Sequence, residues 1–416
     1  MTVIRKAPRI ARILAIGDEL MLGRTVDTNS AAIARQLSDR GLVVDQMRQV
    51  GDGLDAITAA LQTLAYGADL VVCTGGLGPT DDDRTRAAVA GAIGKPLQFR
   101  ASAWKQVHGW YARHLPGKTV PEANRRQAEL PRGARILAND RGTAPGLLAR
   151  HPSGAWIASF PGVPHEMLAM ADRLFAKLPS LIPGLTVPAI SEFAIAGIGE
   201  SAVQDLIPGL LSEADPMVGI TAHDAGHLTL RAVGKPAAVK RRIGQLRKIL
   251  RSWLLPESTV PASLVAELGR RRMTFTAAES CTGGQVAAQL TAVPGSSRIL
   301  RESRVVYHAE AKHALGVPAA ILDEYGVVSE QTALAMAESA RTAIAADIAV
   351  ATTGIAGPDG GSDDLPVGTV WIAVADAQGS IAKRLRLSGS RTRIQLRAAA
   401  TTLVLAWERL KGKSPG

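Results

Sequence analysis

A serine and a lysine in the second half of the chain lie in motifs suited to nucleophilic chemistry. Ser280 belongs to the run AESCTGG, in which an apolar strand pattern leads into a glycine-bearing helix start. A hydroxyl in such a place lies near backbone N–H donors, which suits a nucleophile beside an oxyanion site. Lys312, in the run YHAEAK, can take the serine proton if burial keeps the amine neutral. The two motifs therefore predict Ser-Lys catalysis.

Other interpretations of these residues stay open on the sequence. Ser280 could simply cap the following helix, with Lys312 as a solvated surface charge. Cys281 could be the nucleophile, although without a nearby histidine signature a small buried hydrophobe is the simpler interpretation. A further glycine-rich loop, TTGIAGPDGG at 352–361, also ends a strand pattern and could supply backbone N–H groups or a threonine hydroxyl.

Glycines and carboxylates occur together in the first half of the chain, in the run TGGLGPTDDDRT at 74–85. The run follows an apolar strand pattern and opens a helix. Its glycines let the backbone approach a ligand, and the helix start offers N–H groups to a phosphate. The adjacent carboxylates suit Mg²⁺ or a similar hard cation bridging to that phosphate. The residues concerned are Gly75, Gly76 and Gly78, followed by Asp81, Asp82 and Asp83.

A second acidic loop, with Asp18 and Glu19, ends the first strand pattern. In parallel sheets, ligands bind beyond the carboxyl ends of the strands, and both acidic loops fall there. The aspartates of residues 81–83 could, on their own, merely cap a helix. Two acid-bearing loops at the same sheet edge favour a metal-assisted phosphate site.

The elements that must position these loops follow from hydrophobic periodicity. Residues 1–170 alternate between β-branched runs and helical patterns, which predicts a parallel sheet with helices on both faces. Proline punctuation after residue 174 leads into a small α+β module that ends near residue 255. A third unit then alternates strands and helices again and ends in a long helix. The predicted domains are 1–172, 173–256 and 257–416.

More detailed bounds follow from the same patterns. The predicted strands are 12–16, 41–50, 68–73, 275–278, 304–307, 347–353 and 369–375. The predicted helices are 27–37, 54–66, one beginning within 82–86, 240–255, one from 262 to 272, 285–290 and 329–345.

Composition is that of an ordinary globular protein. The 416 residues are 46% hydrophobic and 20% charged, so sizeable cores can be buried. Cys73 and Cys281 lie far apart and outside any CxxC pattern, which excludes a disulfide framework and fits a reducing compartment. No run approaches the ~18 apolar residues of a membrane span. We therefore expect a cytoplasmic protein without membrane association.

The net charge of +11 favours anionic partners. Eight basic residues and no acid lie between Arg231 and Arg251, a density that could follow a phosphate backbone. The segment lacks the GXXG loop that clamps nucleic acid in KH modules. We expect its helix to bury Ile243, Leu246 and Leu250, to leave a solvated basic face, and to bind nucleic acid weakly if at all.

Motifs of the first half resemble those of the CinA family of competence/damage-inducible proteins. They are GDELMLG with Asn29 downstream, TGGLGPTDDDRT, NDRGTAPG at 139–146 and FPGVPHEM at 160–167. The first CinA domain is related to the molybdopterin-binding MogA/MoaB fold. The resemblance implies hydrolysis of the ADP-ribose pyrophosphate with a divalent metal, which would polarise the diphosphate and activate water.

The same resemblance implies roles for individual residues. Metal and diphosphate would be held by Asp18, Glu19, Asn29, Asp82 and Asp83, with the four acids as metal ligands. The phosphate would lie in the cradle formed by Thr74, Gly75, Gly76 and Gly78, and Asn139 with the GTAPG turn would close the pocket.

Motifs of the second half are similar to the CinA carboxy-terminal domain, a nicotinamide mononucleotide amidohydrolase. They are AESCTGG, the Tyr-x-x-x-x-Lys spacing, GVVSE, and TGIAGPDGG followed by PVGTVWIA. The resemblance implies Ser280 as nucleophile and Lys312 as its activator, with no cofactor. It also implies pocket roles for Tyr307 and Thr353, grouped with the catalytic residues, and for Thr282, Gly283, Gly284, Gly354 and Gly357.

One departure from the family pattern concerns residues 307–309. Many relatives have Tyr-Ser-Asn before Glu-Ala-Lys, whereas this chain has Tyr307-His308-Ala309. The missing amide removes a candidate substrate hydrogen bond, worth roughly 0.5–3 kcal/mol if buried. Activity is expected to be weakened or redirected.

The leading hypothesis is a three-module CinA-like hydrolase of pyridine nucleotides. It predicts nicotinamide mononucleotide and ADP-ribose as substrates, a divalent metal in the first domain only, a small KH-like α+β middle module and, as in relatives, a homodimer. Two alternatives remain. The first domain could bind a pterin or nucleotide without turnover, or the protein could be a competence-linked, nucleic-acid-associated protein.

Overall fold

The computed structural model describes residues 8–212 and 215–412. Contacts group the chain into two compact units that divide after Pro188. The predicted boundary after residue 172 falls within a helix, Pro164–Phe175, and residues 189–256 group with the C-terminal domain. None of the helices in the described ranges is long and apolar enough to cross a membrane.

The first unit is an α/β fold around a six-stranded sheet. Its strands are β1 (Arg9–Ile16), β2 (Leu42–Val50), β3 (Leu70–Thr74), β4 (Leu97–Phe99), β5 (Glu129–Pro131), β6 (Arg135–Leu137), β7 (Gly146–Arg150) and β8 (Trp156–Phe160). Its helices are α1 (Asp18–Met21), α2 (Thr28–Asp39), α3 (Leu54–Ala65), α4 (Thr85–Ala92), α5 (Ala101–His114), α6 (Pro164–Phe175) and α7 (Leu178–Leu181), with a 3₁₀ helix at Glu122–Ala128.

The strand order is β2-β1-β3-β8-β7-β6, and β4 and β5 form a separate ribbon. The first four strands are parallel, whereas β7 pairs antiparallel with both β8 and β6, so the prediction of a parallel sheet holds for one side only. Alternation along the strands builds two cores. Leu14 and Val71 join the core under α3 and α4, and Ile13 and Val72 join the core under α2 and α6.

Residues 189–256 form a small α+β module. It comprises β9 (Ala189–Ala196), α8 (Glu200–Leu206), β10 (Met217–His223), β11 (His227–Gly234) and α9 (Pro236–Ile249), with a 3₁₀ helix at Arg251–Trp253. The strands pair antiparallel in the order β10-β11-β9. The module is α+β as expected, and its likeness to a KH module stays a prediction.

The predicted helix at 240–255 is placed too late in the chain. It begins at Pro236, a residue favoured in the first helical turn because its missing N–H would have no partner there, and it ends at Ile249. Leu246 and Leu250 are buried as expected, but Ile243 is only half-buried. Arg242 is also buried, so the exposed basic face is smaller than the sequence suggests.

The C-terminal domain is a second α/β layer structure. Its strands are β12 (Phe275–Glu279), β13 (Leu300–Val305), β14 (Ile348–Gly354), β15 (Thr369–Asp376) and β16 (Gly379–Arg386). Its helices are α10 (Val260–Arg271), α11 (Gln285–Thr291), α12 (Ala309–Leu315), α13 (Ala319–Tyr325), α14 (Glu330–Ile344) and α15 (Arg391–Leu410), with a 3₁₀ helix at Ser296–Arg298. The strand predicted at 304–307 lies at Leu300–Val305, and β16 was not predicted.

The sheet order β13-β12-β14-β15-β16 joins three parallel strands to an antiparallel hairpin. Alternate residues again face two cores, with Ala277 and Val350 packing under α10 and α15, and Ala278 and Ala349 under α14. Because β12 and β14 are parallel neighbours, their C-terminal loops leave the same sheet edge. Those loops carry the AESCTGG and TTGIAGPDGG motifs.

Candidate active sites

Ser280 and Lys312 are in direct contact in the C-terminal domain. Ser280 follows the last residue of β12, and Lys312 lies in α12. The lysine Nζ lies 3.0 Å from the serine Oγ, 3.0 Å from the carbonyl oxygen of Val306 and 3.1 Å from that of Tyr307. The structure thus brings together the two residues that the sequence singled out.

The contacts of Lys312 fit a neutral amine. A carbonyl oxygen can only accept, so Val306 and Tyr307 each take one N–H. In the neutral form, the remaining position on Nζ is a lone pair, and it faces the hydroxyl of Ser280. The lysine is only 1% exposed, and burial lowers its pKa because the charged form loses hydration. Lys312 is therefore arranged to accept the serine proton.

Glu279 holds the serine loop in shape, although the sequence analysis did not select it. Its buried carboxylate accepts hydrogen bonds from the Thr282 hydroxyl at 2.7 Å and the Gly284 N–H at 3.0 Å, and from two further amides of α11. Gly283 and Gly284 have φ of +61° and +98°, the left-handed region that favours glycine. Thr282 and the two glycines therefore shape the loop around Ser280.

The threonine that reaches this loop is Thr352, one residue before the predicted one. Its carbonyl accepts from the Ser280 N–H at 2.9 Å, and its hydroxyl lies 2.7 Å from that of Thr282. Thr353 points to the other face of β14 and donates to the carbonyl of Val327 at 2.5 Å. The parallel register pairs Thr352 with Glu279. Because successive residues of a strand face opposite sides of the sheet, the sequence alone could have indicated that only one of Thr352 and Thr353 faces the serine loop.

Tyr307 contributes two groups on different sides of the site. Its carbonyl contacts Lys312, and its hydroxyl, on a ring that is 50% exposed, contacts the side chain of Arg391. Arg391 also donates to the carbonyl of Gly357 at 2.5 Å, so it connects the Tyr307 motif to the 352–361 loop. Nothing local in the sequence marks Arg391, because both partners are distant along the chain.

The remaining C-terminal candidates have simpler roles. A Cβ on Gly354 would lie 2.6 Å from the carbonyl oxygen of Thr369, so close strand packing requires glycine there. Burial raises the pKa of the Cys281 thiol to about 12, which makes it a poor nucleophile. Ala309 begins α12 and offers no polar side-chain group to the site.

The N-terminal motifs converge on a cleft of about 460 Å³ at the carboxyl ends of β1 and β3. Of the predicted residues, Glu19, Asn29, Thr74, Gly75, Gly76, Gly78, Asp82 and Asp83 line it, whereas Asp18 and Asn139 do not. A Cβ on Gly75, whose φ is +104°, would lie 2.1 Å from the carbonyl oxygen of Ile16. Glycine is therefore needed where this loop crosses the end of β1.

Asn29 fixes one wall of the cleft. Its amide nitrogen donates to the Thr74 hydroxyl at 2.9 Å and to the Gly162 carbonyl at 2.7 Å. Its buried Oδ1 has no hydrogen-bond partner within residues 8–212 and 215–412. Since buried polar atoms are normally satisfied, this oxygen is an acceptor available to a ligand hydroxyl or amine in the cleft.

Two of the four predicted metal ligands are committed to backbone amides. Asp83 accepts from the N–H groups of Gly78 at 2.7 Å and Thr80 at 2.8 Å, and so closes its own loop. Asp18 accepts from the N–H of Asp52 at 3.0 Å, and Asp52 accepts from that of Asp18 at 2.9 Å. Among the described residues, no three His, Cys, Asp or Glu side chains come close enough to form a protein-only metal cage.

Six carboxylates line the cleft, those of Glu19, Asp27, Asp52, Asp82, Asp83 and Glu166. Asp27, Asp83 and Glu166 accept hydrogen bonds from Ser30, the Gly78 loop and Asn139, which leaves Glu19, Asp52 and Asp82 as candidate ligands. Burial raises the pKa of Asp52, and the negative charges of Asp18, Glu19 and Asp82 raise it further. A hydrogen bond from Thr80 and the nearby charge of Arg84 lower the pKa of Asp82. Because Mg²⁺ is usually held by one or two carboxylates together with substrate phosphates, this donor set fits such an ion. Asp52 follows β2, whose parallel pairing with β1 explains its place beside Glu19.

Glu166, within the FPGVPHEM run, is a cleft residue that the sequence analysis missed. The Asn139 amide donates to its carboxylate at 2.7 Å and to the Ala144 carbonyl at 2.9 Å. A Cβ on Gly142 would lie 2.0 Å from the same carboxylate. The NDRGTAPG motif therefore positions Glu166 rather than contacting the cleft through Asn139.

Fold and sites define a protein of two α/β domains, each with loop-borne functional groups at the carboxyl ends of its strands. Residues 257–410 match the family model "CinA C-terminal domain", and residues 12–181 match "Probable molybdopterin binding domain". A CinA-like protein of Geobacter metallireducens is 41% identical over 94% of this chain and 97% of its own length. A CinA-like protein of Gemmatimonas aurantiaca is 38% identical over 94% of each. This chain belongs to the CinA family.

Among solved structures, the competence/damage inducible protein CihA from Agrobacterium tumefaciens is 37% identical. It covers 36% of this chain and 93% of its own, with a TM-score of 0.36.

Proposed function

We propose that the C-terminal domain is an amidohydrolase that converts nicotinamide mononucleotide to nicotinate mononucleotide and ammonia. The observation that carries this proposal is the 3.0 Å contact between the Ser280 hydroxyl and the buried amine of Lys312. An amide needs an activated nucleophile and a proton donor for the departing nitrogen, and one neutral amine can serve both needs in turn.

The reaction follows from this geometry. Lys312 takes the Ser280 proton as Oγ attacks the carboxamide carbon, and the resulting ammonium returns the proton to the amide nitrogen as the C–N bond breaks. Ammonia leaves, and the acyl group stays on Ser280 as an ester. Water then attacks the ester carbon, with Lys312 again taking and returning a proton, which releases the carboxylate product and the free serine.

We propose that the N-terminal cleft hydrolyses the diphosphate bond of ADP-ribose. The support is a glycine loop at the start of a helix, an Asn29 acceptor that has no partner among the described residues, and an Asp52 carboxylate whose pKa burial and neighbouring acids raise. Glu19 and Asp82 are the residues that would hold a divalent cation with the diphosphate, and Asp52 adjoins them. Such a cation polarises phosphoryl oxygens and lowers the pKa of water. Glu166, held by Asn139, is placed to orient a water or a ribose hydroxyl.

The test is to incubate the full chain separately with nicotinamide mononucleotide and with ADP-ribose, with magnesium or with a chelator, and to identify the products by chromatography. Ammonia release is expected under both conditions, and AMP with ribose 5-phosphate only with magnesium. Loss of deamidation in the chelator would contradict the amidohydrolase mechanism. Magnesium-dependent binding of ADP-ribose without any product would instead make the first domain a binding module.

A further inference from the structure

The C-terminal domain has a cleft at the opposite edge of its sheet from Ser280, and this cleft is larger than the one in the N-terminal unit. Its volume is about 850 Å³, and it is lined by Met273 and Thr274, which precede β12, and by Arg301 near the start of β13. Ser280 follows the other end of β12. The full length of β12 therefore lies between this cleft and the Ser280 site.

The lining of this cleft is strongly basic. Four arginines, Arg270, Arg272, Arg298 and Arg301, line it together with a single acid, Glu257. Arg270 is committed to an ion pair with Glu267 at 2.6 Å. The side chains of Arg272 and Arg301 have no hydrogen-bond or ion-pair partner within residues 8–212 and 215–412, and Arg298 makes one 3.5 Å contact within its own turn.

A charged group near Arg301 is Asp347, which directly precedes β14 and whose carboxylate is already held by the N–H and hydroxyl of Thr274 at 2.7 and 2.8 Å. Apart from the 3.5 Å contact of Arg298, no hydrogen bond within the described ranges uses the side-chain donors of Arg272, Arg298 and Arg301. Guanidinium groups match phosphate oxygens bidentately, so this arrangement suits a phosphorylated ligand.

Arginines near the end of a helix often serve only to offset its dipole. In α10 that role belongs to Arg270 and Arg271, which both pair with Glu267. Arg272 lies beyond the helix with φ of +57°, at a position where glycine would avoid the steric strain. Arg298 and Arg301 come from a different segment altogether. Compensation of the α10 helix dipole therefore does not account for Arg272, Arg298 and Arg301.

The floor of the cleft is apolar. Val265 and Ile299 are buried, and Met273 and Val293 are half-buried against the core of the domain. Val265 and Ile299 are only 6% and 1% exposed, so the accessible apolar surface comes from Met273 and Val293, and a flat ring would cover it. An apolar floor beneath a basic rim is the arrangement expected for a nucleotide.

We propose that this cleft binds a nucleotide, with the phosphates on Arg272, Arg298 and Arg301 and the base on the surface formed by Met273 and Val293. The proposal is independent of the deamidation proposed above, because neither Ser280 nor Lys312 lines this cleft. Because β12 lies between them, this cleft and the Ser280 site would be two distinct nucleotide sites of the same domain.

Hydrogen–deuterium exchange of the full chain tests the proposal, because separate peptides report on each site. ADP is expected to protect residues 262–274 and 293–301, and to do so less at high salt, since exposed charges are then screened. Adenosine, which lacks phosphate, and pyrophosphate, which lacks the ring, should each protect far less.

The double variant Arg272→Gln/Arg301→Gln should weaken the ADP effect on these segments by about tenfold or more, since two charge-assisted contacts are lost. Arg241→Gln, an exposed arginine on α9, is the matched control and should bind like the unaltered protein. Deamidation by all three proteins reports that the domain is folded. The proposal is overturned if saturating ADP leaves both segments unprotected, if the double variant binds ADP normally, or if adenosine or pyrophosphate alone protects as strongly as ADP.

Discussion

The two candidate sites differ in how far the protein alone completes them. In the C-terminal domain, protein groups contact both Ser280 and Lys312, and burial lowers the pKa of Lys312, which favours the neutral form that the chemistry needs. In the N-terminal cleft, Asp52 lies among acids that raise its pKa, and the buried Oδ1 of Asn29 has no partner within residues 8–212 and 215–412.

The same physical effect therefore has opposite consequences. Burial disfavours charge in both places. For Lys312 this favours the neutral amine, which can accept a proton. For Asp52 it raises the cost of a negative charge, which a bound cation would reduce. We propose that the first site works without a cofactor and that the second needs a divalent ion, and the following experiments test that contrast.

The largest effect is expected from the Ser-Lys pair. Ser280→Ala and Lys312→Arg should each reduce deamidation by about 10³-fold or more, because the nucleophile or its base is lost. Arginine keeps the positive charge but cannot become a neutral base. ADP-ribose hydrolysis should be unchanged in both variants. Ammonia release by either variant at the normal rate would exclude the Ser-Lys mechanism.

A smaller loss should separate two neighbouring aspartates of the N-terminal cleft. Asp82→Asn removes a cleft carboxylate, and we expect ADP-ribose hydrolysis to fall by about 10²-fold, with a higher magnesium requirement. Asp83→Asn should chiefly lower stability, by about 1 kcal/mol, since it weakens two loop hydrogen bonds, of which one is partly buried and the other exposed.

Activity at saturating magnesium, together with urea unfolding, distinguishes the two variants. Equal rates for Asp82→Asn and the unaltered protein would mean that Asp82 is only a surface residue of the helix start.

The pH dependence should also differ between the sites. Deamidation should rise with pH up to the lowered pKa of Lys312, by about tenfold per pH unit below it, because only the neutral amine is active. Between the lowered pKa of folded Lys312 and the ordinary lysine pKa, the unfolded chain binds more protons than the folded one, so the stability of the fold rises with pH over that interval. Lys312→Met should abolish this part of the pH dependence of unfolding. If the deamidation rate did not change between neutral pH and the pKa of Lys312, the assignment of Lys312 as the base would be contradicted.

A few-fold effect is expected at the exposed side of the C-terminal site. Tyr307→Phe keeps the carbonyl that contacts Lys312 but loses the hydroxyl that contacts Arg391. The KM for nicotinamide mononucleotide should rise about three- to tenfold, since one hydrogen bond of roughly 0.5–1.5 kcal/mol is lost, while kcat changes little. A large fall in kcat would instead give the hydroxyl a part in the reaction.

The smallest effect concerns Asp52. Its pKa is raised in the folded state, so the fold is less stable above that pKa than it would be without the charge. Asp52→Asn should therefore stabilise the metal-free protein at neutral pH, by less than about 1 kcal/mol because the group is partly hydrated. Magnesium should raise the Tm of the unaltered protein more than that of the variant. Equal magnesium shifts would place the cation away from Asp52.

Local features of the sequence determined where the functional loops lie. Apolar runs identify β1, β3, β12 and β14, and a parallel sheet brings their C-terminal loops to shared edges. Glycines such as Gly75 and Gly284 are visible in the sequence because only they tolerate the dihedral angles of those loops. The two motifs, and the family resemblance after them, singled out Ser280 and Lys312, which the structure places in contact.

Only the tertiary structure decided which side chain of each loop points where. Asp82 and Asp83 are adjacent in the chain and both line the cleft, yet only Asp83 closes the loop through the backbone amides of Gly78 and Thr80. Thr352 rather than Thr353 reaches the serine loop. Glu166 and Arg391 depend on partners far away in sequence. Side-chain direction and long-range hydrogen bonds are set by the packing of whole elements, and a local pattern carries no information about them.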